Sequence, residues 1–284
     1  MIYIILPDGP CQQSDGIGGE YSWRNAAARV ECLTMILDYG LSTFICMIAI
    51  VLIAGTIKIT LGVGFALIAM PLLLLIMDAH EVIGFIAPLI LLQDLIILTQ
   101  MWRWVPWRSA AILAVSATVI APFASVLQTV LNPETLQITI SITIIAAGIT
   151  LLSGMKFSIK NEARALVVAG GISGVLFPLA GISGPPVALF LVNQRWEMAT
   201  MRAVLAAFLV VLELVTIFAF AFRGVVNRDS LLLDTMMLPS LVVAVLISTV
   251  VLRKIDSNHY RTSVTTVIIL SAMLGLVSLI VSSV

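Results

Sequence analysis

Charge is what this chain has least of. Asp, Glu, Lys and Arg make up 11% of its 284 residues, against about 25% in ordinary soluble chains. With 61% hydrophobic residues and a mean hydropathy of +1.15, this scarcity excludes a soluble domain and leaves a polytopic membrane protein. The few charges cancel, 15 basic against 15 acidic, so neither nucleic acid nor a strongly polybasic lipid contact is indicated. Cysteine is also scarce, and Cys11, Cys32 and Cys46 form no CxxC or Cys/His metal spacing. They read as unpaired structural residues, with a Cys11–Cys32 disulfide open only in an oxidising compartment. His80 and His259, the only histidines, sit at expected span ends as interfacial residues. HExxH, GxSxG and Walker patterns are absent, so nothing indicates an enzyme, a metal or a cofactor. The chain carries no ATPase domain, so any transport runs on gradients.

What the chain does have is one unusual apolar stretch, twice. Ala169 to Gln194 contains Gly170, Gly171, Gly174, Gly181 and Gly184 with Pro178, Pro185 and Pro186. Prolines without an N–H and glycines that tolerate positive φ argue against an unbroken helix. Broken backbone at membrane depth persists only where it is buried in protein or lines a watery cavity; a kinked helix with glycines for close packing is the bland alternative. Gly55 to Phe65 matches Gly174 to Gly184 at a constant offset of 119, which also pairs Asp94 with Glu213. Corresponding interrupted segments in two halves point to the substrate site of a secondary transporter.

Read in order, residues 1–38 form a polar extension, either an exposed cap or an upstream mis-start with Met35 as the true beginning. The first repeat is 39–155, a basic linker 156–164, and the second repeat 165–284. Tyr39 to Met77 is 39 residues long, too long for one span of about 20, and reads as two half-length helices joined near Lys58 to Gly64. Val82–Met101, Ala110–Leu131 and Leu136–Met155 follow as spans. The second half repeats the plan with a broken Ala165–Gln194, then Ala199–Phe222, Leu231–Leu252 and Val264–Val281. Trp102, Trp104 and Trp107 with Arg103 and Arg108 mark a membrane interface. If each broken segment turns back as a hairpin, ten basic residues, Arg202 counted among them, fall on one side and four on the other; if each crosses, the split is nine to five, with Arg202 among the five. Basic loops favour the cytoplasm, so the stronger asymmetry selects hairpins. The expectation is an all-α helical bundle of two inverted homologous repeats, each a broken hairpin plus three spans, with both termini outside.

Few side chains can carry chemistry. A lysine deep in a bilayer costs about 2.5–3.5 kcal/mol and by default signals function, so Lys58, with nearby half-helix N-termini, forms a candidate anion cradle. The alternative is a lysine that snorkels to a head group. Asp94 and Glu213 fall about two-thirds along their spans and are proton-coupling candidates, or else structural locks to Lys58, Gln93 or backbone. Asn193, with Thr56, Thr60, Gln93, Ser173, Ser183 and Gln194, offers neutral hydrogen bonds to a polar ligand, although single hydroxyls more often hold helices together.

The duplicated glycine-rich segment, the run Gly181-Ile182-Ser183-Gly184-Pro185-Pro186-Val187 and the following Arg202-Ala203 resemble the TauE/SafE sulfite exporter family (TSUP or DUF81). The resemblance covers roughly Leu41 to the C-terminus. It implies a multi-pass inner-membrane transporter, with a homo-oligomer left open, that moves a small sulfur-containing anion such as sulfite, thiosulfate or an organosulfonate. It also implies a substrate shell of Gly55, Gly62, Gly64, Gly174, Gly181, Ser183 and Gly184. Phe65 departs from the family's usual glycine, and Ser183 interrupts the second motif, which leaves the pocket shape open. The reading of a different class is a non-transporting integral membrane scaffold or accessory subunit.

Overall fold

A computed structural model describes residues 40–132, 161–194 and 196–252, with scattered residues between 134 and 146. The polar extension 1–38, Lys156 to Lys160 of the linker, most of the expected span 136–155 and the span 264–281 lie outside the described residues. The described elements are helical. They are α1 (Leu41–Leu61), α2 (Phe65–Leu73), α3 (Ala79–Met101), a 3-10 turn (Trp102–Trp104), α4 (Trp107–Val130), α5 (Glu162–Ala180), α6 (Gly184–Asn193), α7 (Met198–Phe222) and α8 (Arg228–Leu252). Helices follow from the solvent, because apolar surroundings offer the backbone no other partner. Among the described residues, six helices (α1, α3, α4, α5, α7 and α8) are long and apolar enough to cross a membrane. Their outer faces carry exposed Val115, Val119, Phe123, Phe218 and Phe222, an apolar surface that suits lipid.

The helix ends recur at the sequence offset of 119. Helices α1 and α5 end at Leu61 and Ala180, α2 and α6 begin at Phe65 and Gly184, and α3 and α7 begin at Ala79 and Met198, each pair 119 residues apart (180 − 61, 184 − 65, 198 − 79). Each first helix stops in the same way. The Gly62 N–H donates to the Lys58 carbonyl at 2.7 Å, and the Gly181 N–H to the Phe177 carbonyl at 2.7 Å. Both glycines are left-handed, with φ of 80° and 65°, the αL stop that favours glycine.

Two expectations change. The first arm of each broken pair is not half-length: α1 has 21 residues and α5 has 19, near the length of a span, whereas α2 has 9 and α6 has 10. Apolar sequence runs straight through each turn, so hydropathy alone cannot place it. Pro185 and Pro186 lie in the first turn of α6, where a missing N–H costs nothing, and they open that helix rather than break one. Helix α5 begins at Glu162, its N–H groups capped by the Asn161 side chain, which accepts from the Arg164 N–H at 3.2 Å. Residues 162–164 thus form the first turn of α5.

Contacts between the halves orient the elements. Lys58 at the end of α1 reaches Asp94 in the second half of α3, whereas Met70 of α2 and Ile86 of the second turn of α3 both crowd Gly181. Helix α2 therefore runs back toward the start of α3. Helices α3 and α7 pack antiparallel, with Gly84 near the start of α3 against the Val225 carbonyl just past the end of α7. Helix α1 packs on α8 through Ile59, Leu241 and Ala244, and α5 on α4, where Gly170 and Gly174 meet Leu113 and Ala117. Each first helix thus packs against the fourth helix of the other half.

Candidate functional site

The two glycine turns meet. A Cβ on Gly184 would lie 2.8 Å from Val63 Cγ1, and one on Gly181 would lie 2.8 Å from Ile86 Cδ1 and 3.2 Å from Met70 Cε. Between the turns lies a cavity of about 20 Å³, walled by Lys58, Gly64 and the start of α2 on one side and by Gly181, Ile182, Ser183 and Gly184 on the other. That is room for about one water molecule, so in this conformation the turns are closed on each other.

The polar lining is one-sided. The N–H groups of Phe65, Ala66 and Leu67 open α2 without acceptors in their own helix. At the matching positions of α6, Pro185 and Pro186 have no N–H to offer. Lys58 has Phe177 as its counterpart, so both the cation and most of the free donors belong to the first repeat. On the opposite wall, the Ser173 hydroxyl donates to the Ser183 carbonyl at 2.8 Å and holds the second turn against α5.

Lys58 does not snorkel. It is 4% exposed, and its Nζ lies 2.8 Å from Asp94 Oδ2. Asp94 and Glu213, mates across the repeat, are both fully buried, and their carboxyls interact with each other as well as with Lys58. Among the described residues, no hydrogen-bond donor reaches Asp94 Oδ1 or either Glu213 oxygen. One ammonium thus faces two carboxyls at the edge of the cavity.

The structure brings Lys58, Gly64, Gly181, Ser183 and Gly184 to the cavity wall, with Asp94 and Glu213 behind Lys58. Other expected shell residues lie elsewhere. Gly62 faces Arg202, Gly55 faces Ala244 and Leu241, and Gly174 faces the Ala117 backbone. Asn193 ends α6, about 13 Å along that helix from Gly184 at 1.5 Å per residue. Thr56 and Thr60 spend their hydroxyls on the carbonyls of Leu52 and Thr56 in their own helix, the packing role single hydroxyls commonly take.

Arg202 carries a role that sequence reasoning missed. Placed by its position among loop cations, it is instead 2% exposed, and its Nη2 donates to the Ile59 carbonyl at 2.6 Å. It clamps the last turn of α1, whose terminal carbonyls lack helical partners. The signal was the Arg202-Ala203 pair, which was read only as part of a motif. Asp234 of α8 is a second surprise, 5% exposed and with no partner for either carboxyl oxygen among the described residues. Replacing Arg202 with Met, which keeps the stem but loses the donor, is expected to lower stability by about 1.5–3 kcal/mol, the range for a charged hydrogen bond. Thermal unfolding of the purified protein measures this, and an unchanged midpoint would remove the clamp.

The TauE family profile, described as sulfite exporter TauE/SafE, matches residues 47–274. No curated protein matches, and no solved structure matches.

Proposed function

Since the chain belongs to the TauE/SafE sulfite exporter family, a family of membrane transporters, we propose that it exports a small sulfur-containing anion by alternating access between the two glycine turns. The observation that carries this reading is the meeting of both turns around one cavity walled by Lys58. A sulfonate or sulfite group presents three oxygens and negative charge, which suits an ammonium beside the first N–H groups of a helix. The anion would sit on the α2 side, held by Lys58 and the N–H groups of Phe65 to Leu67, with Gly181, Ser183 and Gly184 as the moving wall.

A cavity of about 20 Å³ is too small for such an anion, so binding requires the turns to part at the Val63–Gly184 contact. The proposal includes inverted repeats. The antiparallel packing of the matching helices α3 and α7, and the return of α2 toward the start of α3, support it. So does the ten-to-four distribution of basic residues, which places both termini outside an inner (plasma) membrane. Inverted repeats with a site at their interface are a common plan for alternating access.

The test is the thermal stability of the purified protein against sulfite, thiosulfate, organosulfonates, phosphonates and carboxylates. Specific binding at a hundredfold excess over Kd raises stability by about 2.7 kcal/mol. The expected result is a shift for the sulfur oxyanions, lost in Gly181→Leu, whose side chain would collide with Ile86 and Met70 and push the turns out of register. A flat response from folded protein would favour a non-transporting membrane scaffold.

A further inference from the structure

Lys58 has two tasks that compete. It walls the cavity, and its ammonium is the ion-pair partner of Asp94, the carboxyl beside the buried Glu213. A single ammonium balances one carboxylate, and a second ionised carboxylate beside it, away from water, would be an uncompensated charge. The hydrogen-bond pattern fits one proton held between the two carboxyls. Lys58 donates to Asp94 Oδ2, while Asp94 Oδ1 and both Glu213 oxygens have no other donor among the described residues.

We propose that Asp94 and Glu213 are the proton site of this transporter, and that Lys58 is exchanged between Asp94 and the transported anion, so that one proton enters with each anion bound. This rests on the anion-transport reading above. In the closed state Lys58 and the pair sum to zero, with the ammonium, one carboxylate and one shared proton. When a monovalent anion reaches Nζ, the Nζ–Oδ2 contact breaks and the ammonium pairs with the anion. The freed carboxylate takes a second proton from water, forming an O–H bond, and the sum is again zero. Release of the anion reverses both steps.

Of the other buried charged side chains among the described residues, Arg202 donates to the Ile59 carbonyl and Asp234 lies on α8. The ligand is a proton rather than a metal cation because, among the described residues, no group of three or more His, Cys, Asp or Glu side chains converges. In addition, one of the two carboxyls is already occupied by an ammonium.

The experiment uses the full chain in proteoliposomes with methanesulfonate, a fully ionised probe that carries no proton of its own. Anion flux and luminal pH are followed together, and infrared spectra are recorded without anion. The expected result is about one proton per anion in the wild type, retained in Glu213→Gln, where Asp94 is still the carboxylate that Lys58 frees, and falling to none on whatever flux Asp94→Asn/Glu213→Gln retains. At neutral pH the carboxylic-acid absorption should contain a band that Glu213→Gln removes and Asp234→Asn leaves in place; Asp94→Asn serves the same comparison should Glu213→Gln not fold. Anion flux without proton movement, flux that consumes a sodium gradient instead, or absence of the band overturns the proposal. A band that behaves as expected in a protein that moves no anion overturns the transport reading and the coupling with it, while leaving the shared proton in place, so the two failures are told apart.

Discussion

Lys58→Ala is expected to abolish anion flux and to destabilise the folded protein by about 3–5 kcal/mol, the cost of removing one partner from a buried ion pair. The pair is closed at 2.8 Å with both side chains almost fully buried, and Glu213 stands behind it without a cation of its own. Removing the ammonium leaves two carboxyls in an apolar site. A second substitution separates the two roles of the lysine. In Lys58→Ala/Asp94→Ala the orphaned Asp94 is gone, so stability should recover relative to the single variant by a coupling of about 0.5–3 kcal/mol, whereas flux should not recover. Stability is read from thermal unfolding and flux from labelled anion in proteoliposomes. Flux that survives in Lys58→Ala would make the lysine a structural lock and remove it from the anion cradle.

The second large effect concerns two glycines at the same position of the two repeats. A Cβ at Gly174 would lie 2.3 Å from the Ala117 carbonyl oxygen and 2.9 Å from its Cα. These are backbone atoms in the middle of α4, so α5 would have to withdraw. Gly174→Ala is expected to cost about 3 kcal/mol, at the upper end of overpacking. A Cβ at Gly55 would meet Ala244 Cβ at 3.3 Å, which needs to give by a few tenths of an ångström, and would touch Leu241 Cδ1 at 3.6 Å and Gln93 Oε1 at 3.9 Å at ordinary contact distance. There the gain of about 0.5–1 kcal/mol from replacing a helical glycine offsets the crowding, so Gly55→Ala should unfold within a degree or two of the wild type. Equal unfolding midpoints for the two variants would mean that α5 and α4 are not in backbone contact. The same comparison locates the function of these residues, because a purely packing role for Gly174 lowers stability without changing which anion binds.

Much of this protein was decided locally and was therefore legible. Apolar runs of about 20 residues have only one way to satisfy their backbone in a bilayer, and four of the spans, α3, α4, α7 and α8, begin and end within three residues of their expected limits. The offset of 119 residues identified Asp94 and Glu213 as mates before any contact was known, because duplicated sequence implies duplicated structure. The glycine turns were legible for a similar reason, since glycines that tolerate positive φ cluster there, although of Gly181 and Gly184 only Gly181 adopts it.

Tertiary structure decided the rest, in each case through contacts between residues far apart in the chain. Arg202 looked like a loop cation until the Ile59 carbonyl, 143 residues away, appeared as its acceptor. Gly55 and Gly174 have the same local sequence signature, and only the neighbouring helix makes one tolerant and the other intolerant of a methyl group. Lys58 could equally have snorkelled, locked a helix or faced a ligand. Its environment was set by Asp94 on one side and by the second glycine turn on the other. Local sequence determined where the chain turns and which residues it cannot expose to lipid; the packing of one repeat into the other determined which of them face a common cavity, because that depends on surfaces that no local pattern encodes.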